Sequence, residues 1–209
     1  YDDAGECIEA FLRLLWDIGL DIGHSVRSIK YCVKEARGDV TIMTNLLEAR
    51  HLAGDEGLFE TLDQKIRAPR MWAPDKFYQA KKAEQDVRHA QYQDTAYSLE
   101  PNLKESPGGL RDLQTILWIY NRRYGVRSFR DMANQQLIDK DEYRILIRAR
   151  NILWRMRCGL HLITQRHEDR LLFDTQRKLA EEFGYQDSPT HLAVEQLMKR
   201  YYRTAKQVI

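Results

Sequence analysis

The chain has 209 residues, with 33 Lys plus Arg against 31 Asp plus Glu and a net charge of +2. That length suffices for a real core in one domain or two small ones, and the balanced charge is unlike that of a nucleic-acid-binding domain, which is usually strongly basic. No apolar run approaches a membrane span, and the start, YDDAGECIEAF, is acidic where a signal peptide would be basic.

These features predict a cytoplasmic protein with no membrane, DNA or RNA partner. The cysteines are Cys7, Cys32 and Cys158, an odd number, widely spaced and without a C-x-x-C pair. They read as reduced, mostly buried thiols. No His or Cys pair has the spacing of zinc ligands.

In chain order, Glu6 to Ile18 places Ile8, Phe11, Leu12, Leu15 and Trp16 at helical spacing, and Gly19 ends the helix. Leu20 to Ser28 alternates as a strand does: Leu20, Ile22, His24 and Val26 fall on one side. Ile29 to Ala36 reads as a short helix. After Gly38, the β-branched run DVTIMT from Asp39 to Thr44 predicts a second strand. A helix is expected to start at Asn45, capped by Asn45 or Thr44. The first part is thus expected to be α+β or α/β, part of a small sheet flanked by helices.

From about residue 73 the pattern is helical. Pro74 and Asp75 suit the first turn of a helix running to about His89. Leu110, Leu113, Ile116, Leu117 and Tyr120 form one apolar face, and a short helix is expected near Phe129 to Ala133. Asp141 to Gln165 carries a bundle seam of Leu146, Ala149, Leu153, Met156, Leu160 and Ile163. RHEDRLLF, from Arg166 to Phe173, is expected to turn the chain back. Ser188-Pro189 suits the start of a last helix carrying Leu192, Leu197, Met198 and Tyr201. Trp16, Trp118 and Trp154 are expected in the core.

Three features could carry chemistry. Asp39, at the head of the predicted strand, is either a carboxylate pointing toward a divalent metal or a strand-start residue in water. The loop LEPNLKESPGGLRD, Leu99 to Asp112, offers Gly108 and Gly109 for close backbone approach, a helix N-terminus for an anion, and Lys104 and Arg111 for phosphate. Ser106 lies in the same turn, and Asp112 could orient Arg111 or help hold a metal. The same loop can be read as a proline-rich turn with a helix cap and an incidental Arg-Asp pair. It matches neither the Walker loop nor the Rossmann fingerprint. Lastly, Arg144, Arg148 and Arg155 share a stripe with Asn151, and Arg150 and Arg157 lie on another. Each is either a solvated basic face or a wall facing a nucleotide or an acidic partner.

The strings FLRLLWDIGLDIGHSVRS, DVTIMTNLLEARHLAGD, LEPNLKESPGGLRDLQTILWI, LHLITQRHEDRLLFDTQRKLA and VEQLMKRYYRTA resemble the bacterial PII uridylyltransferase/uridylyl-removing enzyme family. The resemblance spans nearly the whole chain in order and is most specific over Leu99 to Ile116. GGLRD also looks like a motif of the related adenylyltransferase of glutamine synthetase. The resemblance implies an α+β, mostly helical chain: the C-terminal part of a polymerase-β-like nucleotidyltransferase domain (1–72) followed by an all-α helical bundle (73–209). It implies UMP transfer from UTP to a tyrosine of the PII signalling protein, with magnesium or manganese as cofactor and Asp39 as the third metal carboxylate. It makes Lys104, Ser106, Gly108, Gly109, Arg111 and Asp112 candidate nucleotide- or phosphate-binding residues. The family's G-S…D-x-D strands belong upstream, and its HD hydrolase and glutamine-sensing ACT domains belong downstream. The chain is therefore expected to be a fragment without activity alone. Two other classes stay open: the adenylylating relative, and a non-catalytic helical module that docks PII.

Overall fold

A computed structural model describes residues 2–20, 22–92 and 98–209. Among them the chain forms ten helices: α1 (Asp2–Asp17), α2 (Ile29–Gly38), α3 (Val40–Leu47), α4 (Glu56–Arg67), α5 (Pro74–Gln91), α6 (Leu110–Tyr124), α7 (Phe129–Asn134), α8 (Lys140–Thr164), α9 (Phe173–Glu182) and α10 (Ala193–Val208). No helix is long and apolar enough to cross a membrane among the described residues.

The α+β expectation is corrected here, since the described residues contain no strand. The only pairing of that kind is an isolated bridge between Asn102 and Arg170. Residues 22–28 are without regular structure, and 23–28 are exposed. Alternation alone cannot make a strand without a neighbour to pair with, and no described segment pairs there; Asp21 of that run lies outside the described residues. The DVTIMT run is helix α3. Asp39 caps it, its Oδ1 accepting from Thr41 N at 2.6 Å and Ile42 N at 3.1 Å. Val40, Met43, Thr44 and Leu47 then share one face, with Met43, Thr44 and Leu47 buried. Capping and burial together outweigh the β-propensity of the run. Asn45 accordingly sits near the end of a helix, not at its start.

Ser188 also caps something other than the predicted helix. Its Oγ accepts from His191 N at 3.0 Å in the turn before α10, which begins at Ala193. There Asp187 Oδ1 accepts from Ala193 N at 2.7 Å. Cys7 and Cys158 are exposed and only Cys32 is half-buried, against the expectation of mostly buried thiols. Of the three tryptophans expected in the core, only Trp118 is buried; Trp16 is 49% and Trp154 60% exposed.

Two clusters of buried apolar residues organise the fold. The larger gathers Leu110 and Leu113 of α6, the α8 seam residues Leu153, Met156 and Leu160, Leu179 of α9, and Leu197 and Tyr201 of α10. Gly159 of α8 permits close packing on α9, because a Cβ there would lie 2.6 Å from Leu179 Cδ1. The smaller cluster joins Ala36, Met43, Leu47, Ile66 and Met71 to Phe77 of α5 and Trp118 of α6. Helix α6 belongs to both. Its buried Arg122 donates to the carbonyls of Trp72 (2.7 Å), Arg67 (3.2 Å) and Ala68 (3.1 Å), fixing the α4–α5 connection. Burial, followed by the nearby charge of Arg67, holds the Arg122 pKa below the usual arginine value.

Candidate functional site at the Leu99–Asp112 loop

The loop is a closed hydrogen-bonded structure. Asn102 Oδ1 accepts from Lys104 N (3.0 Å) and Glu105 N (2.8 Å), an Asx-type turn. The buried Ser106 accepts at its Oγ from Asn102 N at 2.9 Å. The N–H groups at the start of α6 are all taken. Gly109 N donates to Ser106 O (2.8 Å), Leu110 N to Leu103 O (3.1 Å), Arg111 N to Lys104 O (2.8 Å) and Asp112 N to Gly109 O (3.1 Å). These are the donors that a bound anion would otherwise use.

Both glycines are required by close approach. Gly108 has φ +77°, and a Cβ there would lie 2.3 Å from Ala205 O on α10. At Gly109 a Cβ would lie 2.8 Å from the carbonyls of Lys104 and Ser106. The Gly-Gly pair thus lets the loop fold on itself while resting against the α10 backbone.

Asp112 is the hub. It is 3% exposed. Its Oδ2 accepts from Gly108 N at 2.7 Å, and its Oδ1 accepts from Gln85 Nε2 at 2.9 Å and from Arg88. His89 Nε2 lies 3.0 Å from both oxygens. One carboxylate therefore joins α5, α6 and the loop. Tyr201 of α10 is buried nearby; burial first, then the charges of Tyr202 and Asp112, push its phenol above the usual range. Upstream, Gln176 Nε2 of α9 donates to Leu99 O at 2.7 Å. Leu103 N donates to Asp169 O at 2.8 Å, and Leu171 N to Pro101 O at 2.8 Å.

Lys104 and Arg111 alone among the candidate loop residues carry charges to the surface. Both pair with Glu105, Arg111 at 3.2 Å and Lys104 at 3.5 Å. Arg111 also lies 5.4 Å over the Trp118 ring, with Lys81 Nζ at 4.3 Å from it. Lys81 pairs with Glu84, and Thr41 Oγ1 of α3 donates to Glu84 at 3.3 Å. This chain of contacts puts Arg111 and the α3 N-terminus, capped by the exposed Asp39, on one flank of the molecule. No three His, Cys, Asp or Glu side chains converge as a metal site among the described residues. Asp39 Oδ1 is committed to the helix cap, so only its second oxygen is available to an ion.

Sequence reading missed Gln85, Arg88 and His89. Their i, i+3, i+4 spacing opposite an Asp-bearing helix was a usable signal. It also missed Asp169, which accepts from Arg157 Nε at 2.6 Å and lies 3.0 Å from His161 Nε2.

Comparison with known proteins places this arrangement. The sequence profile described as GlnD PII-uridylyltransferase matches residues 76–209. A "Bifunctional uridylyltransferase/uridylyl-removing enzyme" of Stutzerimonas stutzeri (strain A1501) is 49% identical over 203 residues, 97% of this chain and 23% of that protein. Proteins of the same name from Azotobacter vinelandii (strain DJ) and Nitrosococcus oceani are each 50% identical, over 95% and 94% of this chain. The chain spans less than a quarter of the length of these relatives. With the profile matching residues 76–209, well over half of the chain, the chain belongs to the GlnD PII-uridylyltransferase family.

Proposed function

We propose that the chain is part of an enzyme that transfers UMP from UTP to a tyrosine hydroxyl of a PII protein, releasing pyrophosphate. The observation that carries this reading is about half-identity to bifunctional uridylyltransferase/uridylyl-removing enzymes along 95% of the chain. In this reading residues 1–72 contribute to a polymerase-β-like nucleotidyltransferase domain and 73–209 form its helical companion. The start of the profile match at residue 76, beside the start of α5, supports that division. Removal of UMP and control by glutamine would lie in other parts of the intact protein.

Asp39 would be one ligand of a magnesium or manganese ion, through the oxygen its helix cap leaves unused. The remaining ligands would come from elsewhere, and the ion would hold the UTP phosphates for attack. Of the loop residues, Lys104 and Arg111 would meet phosphate, exchanging Glu105 for it. Ser106, Gly108, Gly109 and Asp112 would hold the scaffold that aims them.

The test uses the intact protein with PII, magnesium and labelled UTP or ATP, comparing parent with Asp39→Asn. Asn caps helices as well as Asp does, so the variant removes the charge and keeps α3. UMP transfer is expected to fall to background with a melting temperature within about 2 °C of the parent. Transfer at the parental rate would remove Asp39 from the site. Use of ATP alone would assign the chain to the adenylylating relative.

A further inference from the structure

Helices α8 and α10 border a second feature, whose lining does not include Asp39 and which is independent of the transfer reading. Two hollows, of about 830 Å³ and 420 Å³, adjoin there. Arg148, Ile152 and Arg200 line both, so they form one open groove. Arg144, Arg148 and Arg155 edge it from α8, and Lys199, Arg200 and Arg203 from α10; all are exposed. The one acidic residue in its lining is Asp187, whose Oδ1 is committed to Ala193 N.

The cations of this groove are largely uncompensated. Arg144 pairs with Asp141 at 2.8 Å, Arg155 lies over Phe183, and Arg200 donates to Tyr185 Oη at 3.2 Å. The side chains of Arg148, Lys199 and Arg203 make no ion pair or hydrogen bond with any described residue. Some surface cations elsewhere find carboxylates, as Arg123 does with Asp75 and Arg127 with Asp63, while others, such as Lys30 and Lys34 on α2, pair with none among the described residues; what distinguishes this groove is six cations on two facing helices. Like charges gathered along a concave wall repel one another and raise the potential there, which an anionic occupant relieves.

We propose that this groove docks an extended acidic segment of a polypeptide partner. The α8 edge from Arg144 to Arg155 rises roughly 16 Å, the length of about five extended residues. Cations spread over that distance suit a row of carboxylates, whereas a compact phosphate group reaches only two or three of them. The floor includes Ile147 and Ile152, which offers an apolar residue of such a segment somewhere to rest. Single-stranded nucleic acid fits less well. It binds through exposed aromatic faces, and here Tyr143 and Tyr185 are half-buried while Phe183 is covered by Arg155.

The test measures fluorescence anisotropy of a labelled Glu-Glu-Leu-Glu-Glu-Leu-Glu-Glu peptide with the full chain in low salt. Compared variants are Arg148→Gln with Arg203→Gln, and, as a control on α2, Lys30→Gln with Lys34→Gln. Exposed, unpaired side chains tolerate such changes without loss of folding. The groove variant is expected to bind about tenfold or more weakly, the control like the parent, with affinity falling as salt rises. Equal binding by both variants, or no binding by the parent, overturns the proposal. So does displacement of the peptide by tripolyphosphate or oligothymidylate at lower concentration than by unlabelled peptide, which would make the groove a phosphate or nucleic-acid site.

Discussion

At the scale of single residues, the Leu99–Asp112 loop is explained by what each side chain replaces. Gly108 and Gly125 have similar left-handed φ values, +77° and +72°, but only Gly108 faces a wall, the α10 backbone at Ala205. Gly125→Ala therefore meets only the backbone cost, about 1–2 kcal/mol. Gly108→Ala adds a steric clash with main-chain atoms and is expected to cost about 3 kcal/mol or more. Denaturant unfolding of the two variants side by side checks the difference. The role of Asp112 was legible only through the spacing of Gln85, Arg88 and His89 on α5, because these partners precede it by 23 to 27 residues and nothing beside it in the chain marks it as a hub. The Arg-Asp dipeptide suggested that Arg111 and Asp112 work together; instead Asp112 turns inward to Arg88, and Arg111 turns outward to Glu105.

At the scale of elements, periodicity was a sound guide where packing was regular. Helices α5, α6, α7 and α8 lie where apolar spacing, Pro74 and the seam predict them. The seam residues Ala149, Leu153, Met156 and Leu160 are fully buried. Leu153→Ala should cost about 2–5 kcal/mol, while Leu162→Ala, on the same helix but 72% exposed, should stay within about 0.5 kcal/mol. Thermal melts of both variants separate seam from surface; equal losses would contradict this packing. Residue type misled where a cap decided the outcome. DVTIMT is rich in strand formers, yet Asp39 supplies two capping bonds and the run buries a helical face. Helix α4 carried its own signal, with Asp55 before Leu58, Phe59, Leu62 and Ile66, and Asp55 does cap it at Gly57 N, 2.8 Å away. The tryptophans show the same limit: size alone does not place Trp16 or Trp154 inside.

At the scale of the whole molecule, the loop is held from two sides, by Asp112 against α5 and by the Asp169 region against α8. Burial raises the Asp169 pKa, but hydrogen bonds from Arg157 and His161, and their charges, outweigh it and hold the carboxyl below its ordinary value. The folded state thus favours the ionised form. Its stabilising effect is present above the unfolded value of about 3.9 and is lost as pH falls through the lower folded value. The stability gap between parent and Asp169→Asn should accordingly be full at pH 7 and narrow below about pH 4. A gap constant from pH 7 to pH 2.5 would contradict the assignment.

The Pro-Gly-Gly loop is a clasp built around Asp112, with the charges of Lys104 and Arg111 on its outer side, paired with Glu105. The most direct measurement is the melting temperature of Asp112→Ala, with and without UTP and magnesium. Removing this buried carboxylate leaves the half-buried Arg88 with only Glu105, 3.8 Å away, and takes the acceptor from the Gly108 N–H, a loss of about 3–5 kcal/mol. At roughly 2–4 °C per kcal/mol for a chain of this size, the melting temperature should fall by about 6–20 °C. A variant that melts with the parent but no longer responds to UTP would contradict the clasp and make Asp112 a ligand residue.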